Sequence, residues 1–357
     1  MKKLWLAVVL ITFCLINQTA YAEEDSFLTT LASHPVVEQA VEKHVNTFTD
    51  ALKKPFARWL SRSSKYIDVM KQILGEYNIP QDLVFLSMIE SGFSPYAYSP
   101  AKAVGPWQFI ASTGKRYGLK IDKWVDERRD PIKSTKAAAM YLRDLYKMFG
   151  SWGLAMSAYN AGEGAVKRAL DRINGSDYYD LYNTRRIADE TKNYVPKFIA
   201  ASLIAADPES HGFDNIEYEK NLSYDEAVLW EPIDLDVAAK CAGTSLKTIR
   251  ELNPELTMWC TPPNVKSYIL KIPKDTLMTF LENLSKLSPE ERKAPVRVYA
   301  ARRGENAEKI ARRFGVPVSV VAELNGIRSV RSRIRPGARI TLPPQGKYEG
   351  DFLFARR

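Results

Sequence analysis

At about 150 residues per domain, the 357 residues are enough for two or three domains. A chain 45% apolar, 26% charged and 11% aromatic, with a formal net charge of +9, can bury a sizeable core and is not collagen-like, low-complexity or wholly disordered. No apolar run reaches 18 residues, only three histidines and three cysteines are present, and CxxC, HExxH, GxxxxGKS/T and GxGxxG signatures are missing, which sets aside polytopic membrane, zinc-hydrolase, P-loop and Rossmann chemistry.

Met1-Lys2-Lys3, the apolar stretch Leu4 to Ile16 and the small-x-small run Ala20-Tyr21-Ala22 read as a secretory signal over 1–22, cleaved before about Glu23. Cys14 sits inside the apolar stretch, a poor setting for lipid attachment. This leaves Cys241 and Cys260, which an oxidising compartment permits either as a disulfide or as two separate thiols.

Residues 34–78 carry a helical pattern, with Val37, Val41, His44, Val45 and Phe48 at three- and four-residue spacing and Ile67, Met70, Ile73 and Leu74 extending it. The first part, 23–66, reads as an N-terminal helical extension of the domain over 67–207. A second helix opens with Pro80 in its first turn and stops at Gly92. A Pro-, Ser-, Gly- and Ala-rich loop fills 93–106. Asp130-Pro131 starts a helix whose stripe Ala138, Tyr141, Leu142, Leu145 and Phe149 ends at Gly150. Short helices follow at 152–159 and 163–172, and a longer one runs from about Ala188 to Ala206 with Pro196 as a kink.

A polar linker covers 208–223. Over 224–274, helical patterns at 237–241 and 246–252 precede a strand ending Lys271-Ile272-Pro273, with no clear first strand. A helical linker spans 275–294, and 295–344 shows a strand through Val296, Val298 and Ala300, helices at 305–314 and 317–325, and a closing strand to Pro343. Residues 345–357 form a tail. Leu252-Asn253 and Leu324-Asn325 mark a weak internal repeat of about 72 residues. Residues 296–343 hold 11 Lys or Arg against 3 Glu, so the basic character belongs to this last unit.

The most informative segment is Leu83-Val84-Phe85-Leu86-Ser87-Met88-Ile89-Glu90-Ser91-Gly92. Glu90 lies four residues after Leu86 and seven after Leu83, on the stripe that faces the core. Such a glutamate is either salt-bridged at a helix end or desolvated, with its pKa raised as a general acid near neutral pH requires. Tyr96, Tyr98, Ser99, Gln108, Tyr159 and Asn160 place hydroxyls, amides and aromatic faces nearby in sequence, a mixture suited to a carbohydrate cleft. Trp107, Trp124 and Trp152 are either core or sugar platforms. No second acid stands out: Glu163 and Glu190 lie in exposed-looking turns, and the run Asp126 to Asp130 looks internally paired. Ordinary glycosidases use two carboxylates, so one acid points to chemistry without an enzyme nucleophile.

Four stations in this order are Glu90-Ser91, Gly105-Pro106-Trp107-Gln108, Ala158-Tyr159-Asn160-Ala161-Gly162 and Tyr194 within Glu190-Thr191-Lys192-Asn193-Tyr194. The set resembles the lytic transglycosylases of the goose-lysozyme-like superfamily over about 67–205. Gly105-Pro106-Trp107-Gln108 departs from the commoner Gly-Leu-Met-Gln, with Trp107 where that family has an apolar methionine contact. The resemblance implies that Glu90 is the sole acid/base, that Ser99 supplies a hydroxyl beside it, and that Gln108, Tyr159, Asn160 and Tyr194 bind sugar or position the acid. It implies cleavage between N-acetylmuramic acid and N-acetylglucosamine with a 1,6-anhydromuramyl product.

The pieces Arg303-Gly304-Glu305, Phe314-Gly315-Val316, Leu324-Asn325-Gly326-Ile327 and Pro336-Gly337 resemble a LysM module, which binds N-acetylglucosamine chains, and 224–274 resembles a degenerate one. The expectation is a mainly α chain: a lysozyme-like all-α catalytic domain followed by small α+β modules of βααβ type. The expected partner is peptidoglycan, with anionic envelope polymers as possible ligands of the basic face, no nucleic acid, no transmembrane span in the mature chain, and no metal or organic cofactor. A periplasmic or envelope location follows from the signal. The competing readings are a hydrolytic muramidase and a non-catalytic wall-binding scaffold.

Overall fold

The computed structural model describes residues 35–263, 265–293 and 297–344. The segment read as a signal (which holds Cys14), the expected strand position Val296 and the tail lie outside these residues. The described chain divides into two units, one of 35–121 with 127–222 and one of 122–126 with 223–344.

The first unit is all-α, as expected. Its helices are α1 (Pro35–Thr49), α2 (Lys53–Glu76), α3 (Phe85–Ser91), α4 (Ala111–Arg116), α5 (Pro131–Phe149), α6 (Trp152–Ala161), α7 (Glu163–Ile173), α8 (Tyr178–Asn183) and α9 (Asp189–Ala206). The apolar pattern over 34–78 forms two helices rather than one, broken at 50–52. The helix expected from Pro80 begins as a 3-10 turn, Gln81–Val84, and becomes α-helical at Phe85. Neither α4 nor α8 was expected.

Local signals set the remaining ends. Asp130 caps α5 by accepting from Ile132 N at 2.8 Å and Lys133 N at 3.0 Å, with Pro131 behind it, and Gly150 ends the helix at φ 68°. Pro196 stays inside α9. A proline cannot donate to the carbonyl four residues earlier, and here the Tyr178 hydroxyl donates to that oxygen, Lys192 O, at 3.2 Å. The core runs through Phe48, Phe56, Met70, Leu74, Leu83, Leu86, Met88, Trp107, Leu142 and Phe198, all essentially buried. α9 crosses its centre, packing on α1, α3 and α6.

The second unit contains the same arrangement twice. β1 (Tyr224–Leu229), α10 (Leu235–Cys241), α11 (Leu246–Leu252) and β2 (Tyr268–Pro273) form one βααβ module, with α12 (Leu277–Ser285) after it. β3 (Arg297–Ala300), α13 (Ala307–Phe314), α14 (Val318–Leu324) and β4 (Arg339–Leu342) form the other. Both pairs are antiparallel, Tyr224 opposite Pro273 and Arg297 opposite Leu342 at their ends. β1 supplies the first strand that the sequence left unclear.

The repeat has a structural cause. Asn253 donates from Nδ2 to Ile249 O and Lys271 O, both at 2.7 Å, and accepts from Lys271 N at 2.9 Å. Asn325 donates to Val321 O and Thr341 O, both at 2.8 Å, and accepts from Thr341 N at 2.7 Å. Each asparagine thus ties the end of its module's second helix to the closing strand, using three of the four bonds an amide side chain offers.

No disulfide joins Cys241 and Cys260. Cys241 ends α10, whereas Cys260 bridges to Asp234, the residue that caps the start of that helix. Asp234 and Cys241 lie seven residues apart along the helix, about 10 Å at ~1.5 Å per residue, so the two cysteines sit at opposite ends of α10.

Replacing Asn253, which is fully buried, by alanine strands the Lys271 amide and two carbonyls. The expected loss is about 2 kcal/mol of second-unit stability, read from urea denaturation followed by Trp fluorescence.

Candidate active site

α3 ends one residue after Glu90, at Ser91, because the capping Gly92 adopts φ 59°. A Cβ at Gly92 would come within 2.1 Å of the Trp59 ring, so both backbone conformation and space require glycine there. Glu90 is therefore delivered on the last turn of an apolar helix whose other residues, Phe85 to Ile89, are buried.

Its side chain is half-buried: one edge reaches solvent while protein crowds the carboxyl. Burial pushes its pKa up and outweighs the hydrogen bond from Tyr194 and the Lys197 charge, which pull it down; the Glu190 charge adds a smaller upward push. Tyr194 donates from Oη to Glu90 Oε1 at 2.6 Å. Burial, the largest influence on Glu90, accords with the desolvated reading rather than the salt-bridged one. Burial, and then the negative charge of Glu90, holds the Tyr194 and Tyr159 phenols well above their ordinary range, so both remain donors.

The loop between α3 and α4 is fastened mainly through its carbonyl oxygens. Ser87 and Ser91 donate to Pro106 O at 3.1 and 2.8 Å, and Tyr159 donates to Trp107 O at 2.7 Å. Arg128 donates to Lys102 O and Phe109 O, both at 3.0 Å. Gly105, at φ 83°, lies so close to Arg128 O that a Cβ would approach within 1.8 Å. Gln108 takes φ 49° and donates from Nε2 to Gly105 O at 2.8 Å and Ala97 O at 3.4 Å.

Of the residues singled out in the sequence, Tyr194 touches Glu90, and Tyr159 lies close enough to feel its charge. Asn160 accepts from Thr191 Oγ1 at 2.9 Å, joining α6 to α9. The Ser99 hydroxyl accepts from Ala103 N at 3.1 Å and closes a turn of the loop. Tyr96 and Tyr98 are exposed on the same loop. Trp107 is core, with no exposed surface and its indole N–H donating to Thr135 Oγ1 at 2.8 Å. Trp124 is also buried, and Trp152 stacks on Tyr146 at 4.3 Å.

One reading of an acidic residue needs correction. Glu163 is half-buried, not exposed: it pairs with Arg116 at 2.9 Å and accepts from Tyr141 Oη at 3.1 Å. Burial pushes its pKa up, but bonds from its own backbone, Arg116 and Tyr141 outweigh that and hold it down, so it stays ionised and engaged. The acidic-basic run over 126–130 is structural, and it also bonds outward. Glu127 accepts from Lys120 N at 2.7 Å and pairs with Lys133 at 2.6 Å, Arg128 grips the loop, and Asp130 caps α5.

Lys197 is the residue that sequence reasoning missed. Its Nζ donates to Ile89 O at 3.2 Å. The only sequence signal was its position three residues after Tyr194, on the same helical face. A polar hollow of about 840 Å³ on this unit is lined by α1 and the turn after it with Tyr182 and Asn193, and Glu90, Ser99, Gln108, Tyr159, Asn160 and Tyr194 are not among its lining. Among the described residues no group of three or more His, Cys, Asp or Glu side chains is placed to hold a metal, and no helix is long and apolar enough to cross a membrane.

Residues 68–181 match the Transglycosylase SLT domain, 225–289 match the LysM-like domain described for lytic transglycosylase MltD, and 299–343 match the LysM domain. The class is thereby defined: an all-α SLT domain followed by two LysM-type modules. More particularly, the chain is similar to membrane-bound lytic murein transglycosylase D of Escherichia coli K12, 31% identical over 303 residues, covering 81% of this chain and 63% of that protein. It thus spans less than two thirds of that relative's length. It is also similar to membrane-bound lytic murein transglycosylase C of Glaesserella parasuis, 32% identical over 162 residues, covering 38% of this chain and 44% of that protein. The SLT match contains Glu90, Ser99, Gln108, Tyr159 and Asn160 and stops before Tyr194.

A carboxyl whose folded pKa is raised above the unfolded value contributes its full stability below the unfolded pKa and loses it as pH rises through the folded one. Glu90→Gln, which cannot ionise, is therefore expected to be more stable than the parent chain near neutral pH. That advantage should disappear as pH falls below about 4.5, the ordinary glutamate value. Thermal melts of both proteins across pH 3.5–8 check it.

Proposed function

We propose that this chain is a cell-envelope lytic transglycosylase that cleaves the β-1,4 bond between N-acetylmuramic acid and N-acetylglucosamine in peptidoglycan. The observation that carries the reading is a raised-pKa carboxyl, Glu90, held at 2.6 Å from the Tyr194 phenol inside the SLT-type domain.

The reaction uses one carboxyl twice. Protonated Glu90 gives its proton to the glycosidic oxygen as the C1–O bond breaks and the N-acetylglucosamine hydroxyl leaves. The muramyl acetamido carbonyl supports the positive charge at C1. Glu90, now a carboxylate accepting from Tyr194, takes the proton of the C6 hydroxyl. The C6 oxygen closes onto C1, giving a 1,6-anhydromuramyl end with no water consumed and Glu90 protonated again. Burial favours the acid form needed first, and the phenol stabilises the carboxylate needed second.

Tyr159 supports the wall beside Glu90, while Gln108, Asn160 and Ser99 are assigned to binding sugar or holding the loop. The LysM-type modules are assigned to glycan strands. The last module exposes Arg302, Arg303, Arg312, Arg328, Arg333, Arg335 and Arg339, a surface suited to anionic envelope polymers. A periplasmic location accords with the basic-apolar opening read as a cleaved signal.

Glu90→Gln is expected to reduce release of muropeptides from purified sacculi by about 10³-fold or more while sacculus binding is retained. Mass analysis of the parent chain's products should show anhydro ends. Reducing ends, heavier by one water, would instead identify a hydrolase, and an active Gln variant would overturn the assignment of Glu90.

A further inference from the structure

α9 brings a row of polar side chains to the end of α3. Tyr194 donates to Glu90 Oε1, and Lys197, a turn further on, donates from Nζ to Ile89 O at 3.2 Å. Glu190, a turn before Tyr194, carries a charge that acts on both Glu90 and Lys197. Spacings of four and three residues place all three on one face.

The Ile89 bond has a structural logic. A helix leaves its last four carbonyls without intrahelical partners. At the end of α3, Gly92 N bonds to Met88 O and Phe93 N to Ser87 O. Ile89 O instead takes the half-buried Lys197 ammonium, a cation at the helix end where the macrodipole favours it. Ile89 O belongs to the peptide group that leads directly into Glu90.

We propose that Lys197 is a positioning residue for proton transfer: it caps Ile89 O so that the last turn of α3 holds Glu90 against Tyr194, and it sets one positive charge beside the carboxyl. The inference rests on the reading of Glu90 as the acid/base. Burial alone would keep the proton on Glu90 and resist its release. Burial lowers the Lys197 pKa and the Glu90 and Glu190 charges oppose that fall; the ammonium in turn favours the carboxylate left after the first transfer.

The other charged or titratable groups around this point are Tyr194 and Glu190 on α9, Tyr159 on α6 and Arg62 on α2, which donates to Gly92 O at 2.7 Å. His44 on α1 faces Lys197. Burial, the largest cause, and the nearby Lys197 and Lys43 charges together outweigh a bond with Asn193 and lower its pKa, so it is mostly neutral at pH 7.

The test is the pH dependence of muropeptide release from purified sacculi at limiting substrate, with Glu90→Gln as reference. Glu90 must start protonated, so the rate falls on the alkaline side as pH passes its pKa. Lys197→Met removes a positive neighbour and is expected to move that limb up by about one pH unit. Lys197→Arg should leave it in place. Glu190→Gln removes a negative neighbour and should move it down. If the Met variant does not fold, Lys197→Gln, which keeps a donor for Ile89 O without the charge, should give the same upward shift. A lower rate with an unmoved limb in the neutral variants, or an Arg variant that shifts as far as Met, overturns the role of Lys197. If Glu90→Gln remains active, the underlying reading of Glu90 fails instead.

Discussion

A carboxyl group at the end of an oily helix must be prevented both from dissolving into solvent and from being neutralised for good. Most of the first unit's local architecture serves that constraint. Gly92 ends α3 where Glu90 can still look outward, and Trp59 fills the space beneath the glycine. The phenol of Tyr194 arrives from α9, across the middle of the core, so the carboxyl's partner is as rigid as the core itself. Surrounding protein raises the proton affinity of Glu90, and the phenol and Lys197 restrain the rise.

The second unit solves a different problem. A two-stranded sheet with two short helices has little core of its own. Both modules add an asparagine that joins helix end and closing strand through backbone groups, and their apolar residues, including Leu270, Phe280, Ile310 and Leu342, merge into one cluster. The repeat is therefore a repeated fastening, with side chains outside that fastening free to diverge.

Helices bounded by strong end signals could be read directly. Asp130-Pro131 and Gly150 bracket α5, and Gly92 marks the end of α3. Glu90 could be read because a charge on an apolar stripe violates the pattern around it. α4 and α8, six residues each, are too short for a helical period to emerge. β1, with Asp225 and Glu226 near its start, carries too little apolar alternation to separate it from the polar stretch before it. Trp107 and Trp152 could not be assigned to core or cleft by composition, because burial is decided by tertiary packing. Lys197 was invisible for a related reason: its meaning depends on the carbonyl opposite it, 108 positions away in sequence. The cysteine pair was left open because spacing along the chain says nothing about which end of a helix each residue occupies.

The loop carrying Gln108 is gripped by Ser87, Ser91, Tyr159 and Arg128 through carbonyl oxygens of residues 102, 106, 107 and 109. Every amino acid owns that same oxygen. The grip itself is consequently indifferent to side-chain identity, but Pro106, Trp107 and Phe109 are also buried, so only the exposed positions of the loop, such as Tyr96 and Tyr98, can change what it displays without loosening the frame. A laboratory library confined to those exposed positions would sample new loop surfaces on an unchanged scaffold.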